Sequence, residues 1–294
     1  MSANSMKGMP GSSLPDSSLP GSSLPGSSPP SSSLSRSTLP QFNVTIQGLT
    51  DTGRARSHNE DAISWNAESG LALLADGMGG HNAGDVASRM CIEQLTELLI
   101  PALGKALRLT PNKGKSKHAT LVYRAVSKAN AAIFTEASVN ADRQGMGTTL
   151  AMVLFYNDKV VVAHVGDSRV YRLRGRQLEQ ITADHSLVRE LLEKGVISAE
   201  EVENNPYSHV ITKAVGNRDK VVAEVQELDA EPGDVFLLCS DGLTDLVDDA
   251  AIEDTLVAAA GNWASAAQHL IDLANHQGGK DNISAVVAAL GGPR

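Results

Sequence analysis

Apolar residues in this chain of 294 come in short unbroken runs separated by glycine, aspartate and proline, with stretches of helical period between them. Phe42, Val44 and Ile46 alternate with polar neighbours, as a half-buried strand does. Apolar runs at Leu71–Ala75, Thr149–Phe155, Val160–Val165, Val170–Leu173, Val235–Cys239 and Ile283–Leu290 read as buried strands, and Val221–Glu227 as a further strand. Asn157-Asp158 is a hairpin turn between two of them. Helical spacing appears over Ala83–Leu99 (Val86, Met90, Leu95, Leu98, Leu99) and again in Val122, Val126, Ala129 and Ile133. Two more helices are predicted near Asp249–Ala260 and Trp263–His276, each trailed by glycine. Residues 184–215 are more polar and carry two short helical patterns, with Ser198 and Glu201 as a capping box for the second. That segment is expected to be a mobile flap over a site. Because strands follow one another in runs, the pattern predicts an α+β fold of antiparallel sheets with helices outside.

Residues 1–40 are a different material. Ser-Ser-Leu-Pro recurs at 12–15, 17–20 and 22–25, and seven of the twelve prolines lie there. Such a segment buries too little apolar surface to offset its ordering entropy, so a disordered leader is expected, followed by one domain over 41–294.

Charge and cysteine usage narrow the function. The net charge is −9; the leader contributes +1, so the body carries −10. An acidic body argues against nucleic acid, whose affinity comes largely from Lys and Arg on phosphates. The local exception, Lys105–His118, reads as a solvated loop between two helices. Two cysteines, Cys91 and Cys239, fit a reducing compartment and rule out a disulfide framework. No run approaches the length of a membrane span, and the N-terminus lacks a signal-peptide core. A cytoplasmic monomer is the expectation.

Candidate chemistry sits at the strand ends. Three apolar runs stop at aspartate beside glycine: Asp76-Gly77, Gly166-Asp167 and Asp241-Gly242; a fourth aspartate, Asp281, follows Gly278-Gly279-Lys280 and precedes the last run. One Asp-Gly pair alone is a turn former. Repetition in one context changes the reading, since carboxylates from distant strand ends can converge as hard oxygen ligands for Mg²⁺ or Mn²⁺. Other phosphate chemistries fail on spacing. The sixth residues after Cys91 and Cys239 are Glu97 and Asp245, so neither cysteine has the arginine a thiol phosphatase needs. The three Gly-Lys pairs lack the rest of a P-loop, and no His-Glu-x-x-His occurs.

Arg56-Ser57-His58-Asn59-Glu60-Asp61, Asp76-Gly77-Met78-Gly79-Gly80-His81, Gly147-Thr148-Thr149, Gly166-Asp167-Ser168-Arg169, Ser240-Asp241-Gly242 and Gly279-Lys280-Asp281-Asn282 follow one another in this order. Together they resemble the PPM family, the type-2C metal-dependent serine/threonine protein phosphatases, and its bacterial branch in particular, from about Phe42 to Leu290. The resemblance implies a four-layer α-β-β-α sandwich with two central antiparallel sheets. It implies two Mn²⁺ or Mg²⁺ ions bridged by Asp76, with the Gly77 carbonyl on one and Asp241 and Asp281 on the other. Glu60 and Asp61 would hold metal-bound waters, and Asp167 with Asp241 would match a third ion position of bacterial members. Arg56 would grip the substrate phosphate. The implied activity is hydrolysis of phosphoserine and phosphothreonine in phosphorylated proteins by metal-activated water, opposing a bacterial Ser/Thr protein kinase.

The chain departs from the pattern in one place. Animal members carry histidine after the first Asp-Gly, proposed as general acid, where this chain has Met78; His81 is the nearby histidine, and the acid is left unassigned. Four further side chains have bland readings: His185 and His209 as surface histidines, His164 as a core histidine with a local partner, Arg169 as a brace for a loop carboxylate. Cys239 reads as a small buried strand residue. For Arg56 the competing reading is an ion pair with Glu60 at i+4. The rival functions are a pseudophosphatase that binds phosphoproteins, which would be expected to lose metal carboxylates, and a two-metal phosphodiesterase, for which base-stacking aromatics are wanting.

Overall fold

A computed structural model describes residues 42–79, 83–103, 114–198, 201, 205–207 and 209–293. Among the described residues, eleven strands fall in two antiparallel sheets. One has the order β1 (Phe42–Asp51), β11 (Ile283–Pro293), β10 (Val235–Cys239), β7 (Arg169–Arg174), β8 (Gln177–Gln180). The other has the order β2 (Asp61–Asn66), β3 (Leu71–Met78), β5 (Leu150–Tyr156), β6 (Lys159–Val165), β9 (Glu224–Asp229), with the short β4 (Gly147–Thr148) on β3.

Side-chain alternation accounts for the layering. Along β3, Leu71, Leu73 and Ala75 face a core shared with helices α1 (Ala83–Leu103) and α2 (Lys117–Val139), whereas Ala72 and Leu74 face the other sheet. Along β10 and β11, Val235, Leu237, Ala285 and Val287 pack beneath α5 (Asp249–Ala258) and α6 (Trp263–His276), and Phe236, Leu238, Val286 and Ala288 enter the seam between sheets. Each run is apolar throughout because both its faces are covered, which is why the sequence shows runs rather than alternation. The result is the four-layer α-β-β-α sandwich. Side chains cap α2 (Ser116 to the Ala119 N–H) and α5 (Asp248 to the Ala251 N–H).

Several elements differ from the sequence expectation. β2 and β8 went unpredicted, since Asp-Ala-Ile-Ser-Trp-Asn and Gln-Leu-Glu-Gln are edge strands without a full apolar row. β9 begins at Glu224, three residues later than expected, and runs to Asp229; its edge position exposes alternate polar residues. α1 continues past Leu99 to Leu103, with Pro101 inside it, and a one-turn helix α4 (Asp241–Thr244) follows β10. Of the two short helices expected over 184–215, the first is α3 (Leu187–Glu193). Most of the second lies outside the described residues, although the Ser198 N–H does donate to Glu201 Oε2 at 2.8 Å. Lys117 and His118 belong to α2, and most of the expected basic loop, like residues 1–40 and His81, lies outside the described residues.

Candidate active site

Antiparallel pairing brings distant aspartates to one end of the sandwich. The strands β1, β3, β6 and β10 end where β2, β5, β7 and β11 begin. Asp76 continues the seam-facing row of Ala72 and Leu74, and Asp61 lies directly opposite it in register, so both acids point into the seam. From the other sheet, Ser240 and Ser284 meet them: Asp61 Oδ2 accepts from Ser284 Oγ at 2.6 Å and Ser240 Oγ at 2.9 Å. Asp61 Oδ1 is buried with no hydrogen-bond partner, and so is Asp241 Oδ1.

Close backbone packing fixes this end. A Cβ on Gly77 would stand 2.1 Å from the Gly84 carbonyl oxygen at the start of α1, so glycine is required where β3 meets that helix. Thr149 Oγ1 accepts from the Asp76 N–H at 2.9 Å and pairs with Ser168 Oγ at 2.7 Å, tying the end of β3 to the loop that holds Asp167. Asn282 folds the Arg56 loop back: its Nδ2 donates to the carbonyls of Thr52 and His58 at 3.0 Å, and its Oδ1 accepts from the Glu60 N–H at 2.8 Å. Arg54 and Ala55 donate to the Gly279 carbonyl. Arg56 thereby reaches Asp281, Nη2 to Oδ2 at 2.7 Å, and not Glu60; the i+4 pairing is overturned because the loop at 52–60 is not helical. His58 stands 3.4 Å from Glu60 instead.

Electrostatics mark the cluster as crowded with like charge. Burial first, then the neighbouring carboxylates, pushes Asp61 and Asp167 up to about 7 and Asp241 up to about 6. Asp76 is held well above the ordinary value by burial and by the charges of Asp61, Asp241 and Asp167. Among the described residues Arg56 is the one arginine or lysine in an ion pair within the cluster. An oxygen buried without a partner costs about 1–3 kcal/mol, and two such oxygens beside unneutralised acids form a donor set that divalent cations complete. Among the described residues, no three of these acids bring ligand atoms within 4.8 Å of one another; the trio that does is His164, His185 and Glu224.

A cleft of about 260 Å³ opens beside Asp167 and Asp241, lined also by Arg169, Asp184, Asp245 and, from the segment expected as a flap, Ser186, Arg189 and His209. A recess of about 320 Å³ between α5 and α6 is larger but carries a single carboxylate, Asp254.

The remaining side chains sort as follows. Arg169 braces Asp184 through Nε and Nη2 at 2.7–3.0 Å, and His164, 2% exposed, pairs with the Ala183 carbonyl. Cys239 is fully buried, and burial raises its thiol. His209 is exposed and sits 3.2 Å from Asp245. His185 is not a surface residue: it is 6% exposed, its ring bonded to Gly166 just past β6 and to Glu224 at the start of β9. The trio it forms is ill suited to a cation. Its Nδ1 accepts from the Gly166 N–H, so the ring proton sits on Nε2 facing Glu224, and no lone pair is left for a metal.

The sequence motifs contain Thr149, Ser240 and Asn282 but assign them no role, and Ser284 and Asp245 are assigned no part in the site. Ser240 and Ser284 were visible as polar residues continuing an apolar seam row; Asn282 offered no such signal.

The Protein phosphatase 2C family profile matches residues 52–283. The serine/threonine phosphatase stp of Listeria welshimeri is 37% identical over 241 residues, covering 81% of this chain and 92% of that protein. A crystal structure of the Mycobacterium tuberculosis serine/threonine phosphatase PstP/Ppp aligns with a TM-score of 0.76 at 37% identity, covering 85% of this chain and 99% of that one. A second PstP structure, of the catalytic domain in complex with two manganese ions, aligns with a TM-score of 0.73 at 36% identity, covering 85% and 99%. Family profile, relatives and topology agree, and this chain belongs to the protein phosphatase 2C family.

Proposed function

We propose that this protein is a metal-dependent serine/threonine protein phosphatase that hydrolyses phosphoserine and phosphothreonine in other proteins and opposes a Ser/Thr protein kinase. The observation that carries the proposal is the cluster of Asp61, Asp76, Asp167 and Asp241, raised together by burial and mutual repulsion, with two carboxylate oxygens lacking any partner. Asp76, the Gly77 carbonyl, Asp241 and Asp281 would hold two Mn²⁺ or Mg²⁺ ions, Glu60 and Asp61 would act through bound waters, and Asp167 with Asp241 would serve a third position. Bound divalent ions neutralise phosphate charge and lower the pKa of water, which is the chemistry a resistant monoester requires.

The protein's own residues do the rest. Ser240 and Ser284 occupy one oxygen of Asp61 and leave the other buried without a partner. Asn282 holds the loop that carries Arg56 over Asp281. Arg56, half exposed, presents a planar fork that matches two phosphate oxygens and would orient the monoester for in-line attack. The pseudophosphatase reading expects missing acids, and none of the matched positions lacks one.

The test is hydrolysis of a chromogenic aryl phosphate and of a phosphothreonine peptide. Turnover should require Mn²⁺ or Mg²⁺ and stop with chelator; robust metal-free turnover overturns the proposal. We further propose that residues 1–40 are an appendage to the catalytic body over 41–294, acting in the cytoplasm as a monomer. Their deletion should leave kcat and melting temperature nearly unchanged.

A further inference from the structure

His185 contacts one residue with both its main chain and its ring. Its N–H donates to the Gly166 carbonyl at 2.9 Å, and its Nδ1 accepts from the Gly166 N–H at 3.0 Å. Gly166 therefore has both backbone polar groups taken by His185. It sits at φ +101°, where a side chain is strained and where a Cβ would stand 2.7 Å from Thr149, and it immediately precedes Asp167. On its other edge, His185 Nε2 donates to Glu224 Oε1 at 2.8 Å, and Lys213 approaches the same oxygen at 3.5 Å. The ring is clamped from one face by His164, stacked at 4.6 Å and 9°. Its carbonyl accepts from the Thr212 N–H at 2.7 Å, at the other root of the segment that lines the cleft.

We infer that His185 is a positioning residue for Asp167. One imidazole sets the turn that aims this carboxylate and fastens that turn to both roots of the segment over the cleft. Its two nitrogens have separate duties: Nδ1 holds Gly166, while Nε2 only anchors the ring to Glu224. The inference rests on the reading of Asp167 as a cation ligand, and deepens it by naming what orients the acid. It makes no use of a metal at His185 itself, whose lone pair is already engaged.

Two substitutions separate the nitrogens. Asn places its carbonyl oxygen at the bond count of Nδ1, and Gln places its amide nitrogen at that of Nε2. Each is compared with the intact protein and with Asp167→Asn. Three readouts apply: hydrogen exchange at the Gly166 amide in chelated protein, Mn²⁺ binding by calorimetry, and kcat and KM on an aryl phosphate. In His185→Gln the Gly166 amide should lose protection, the weakest Mn²⁺ step should weaken by about ten- to a hundredfold, and kcat should fall with KM steady. His185→Asn should stay close to the intact protein in all three. Equal behaviour of the two variants, whether both intact or both lowered together with melting temperature, overturns the inference. Asp167→Asn should abolish the same Mn²⁺ step. If it leaves the isotherm unchanged, the reading of Asp167 fails and the inference falls with it; if it removes the step while His185→Gln retains it, the inference alone fails.

Discussion

The seam between the sheets and the acidic end of that same seam are built from the same strands by opposite rules. In the middle, Leu74, Val153, Phe155, Phe236, Leu238 and Val286 are buried against one another, and Phe155 meets Phe236 edge to face at 5.3 Å. One or two residues further along, the rows end in Asp61, Asp76, Asp241, Ser240 and Ser284, where like charges crowd and two oxygens lack partners. The middle stabilises; the end is tolerated because the middle holds it. Strain of this kind at a site, compensated elsewhere, is the usual trade between stability and activity.

Four measurements would break or sharpen that contrast. Asp241→Asn has the largest expected effect: several kcal/mol of lost cation chemistry corresponds to a fall in turnover of about a thousandfold. The same change should raise the melting temperature of chelated protein, since it removes one repelling charge. A fall there would mean the acids are not in conflict. Phe236→Ala should do the reverse, costing about 3–5 kcal/mol of stability in chemical denaturation with kcat preserved in the folded fraction. Arg56→Ala should lower kcat/KM about ten- to a hundredfold, the worth of a hydrogen bond to a charged group. The smallest effect is on pH. Asp61 and Asp167 bind protons more tightly folded than unfolded, so their contribution to stability is complete below the unfolded value near 3.8 and is lost as pH rises through about 7. The melting temperature of chelated protein should therefore fall between pH 5 and 8, and Mn²⁺ should raise it more at pH 8. A flat profile with chelator would contradict the repulsion.

Most of the fold was legible because both faces of the central strands are covered, and uninterrupted apolar runs such as Val160–Val165 mark their own ends. Edge strands such as β8 were not, because Gln177–Gln180 buries no full row and owes its place to pairing with β7. For the candidate site, Asp76, Asp167, Asp241 and Asp281 stood out by position, each at the boundary of an apolar run. Support residues did not. Asn282 acts through three backbone groups at Thr52, His58 and Glu60, more than 200 residues away, and His185 became a buried tie only through Gly166 and Glu224. Hydrogen bonds that close over such distances leave no local period to read.

The pairing of β1 with β11 has one more consequence. Phe42 lies opposite Pro293, and Asp51 opposite Ile283 beside the acids, nine residues or roughly 30 Å along the strand. Both extremities of the described body thus emerge at the pole remote from the cleft, along with the open turn at Gly175, where an added side chain meets nothing within 4 Å. Affinity handles, reporter domains or surface linkers attached at that pole would leave the approach of a bulky phosphorylated target unobstructed.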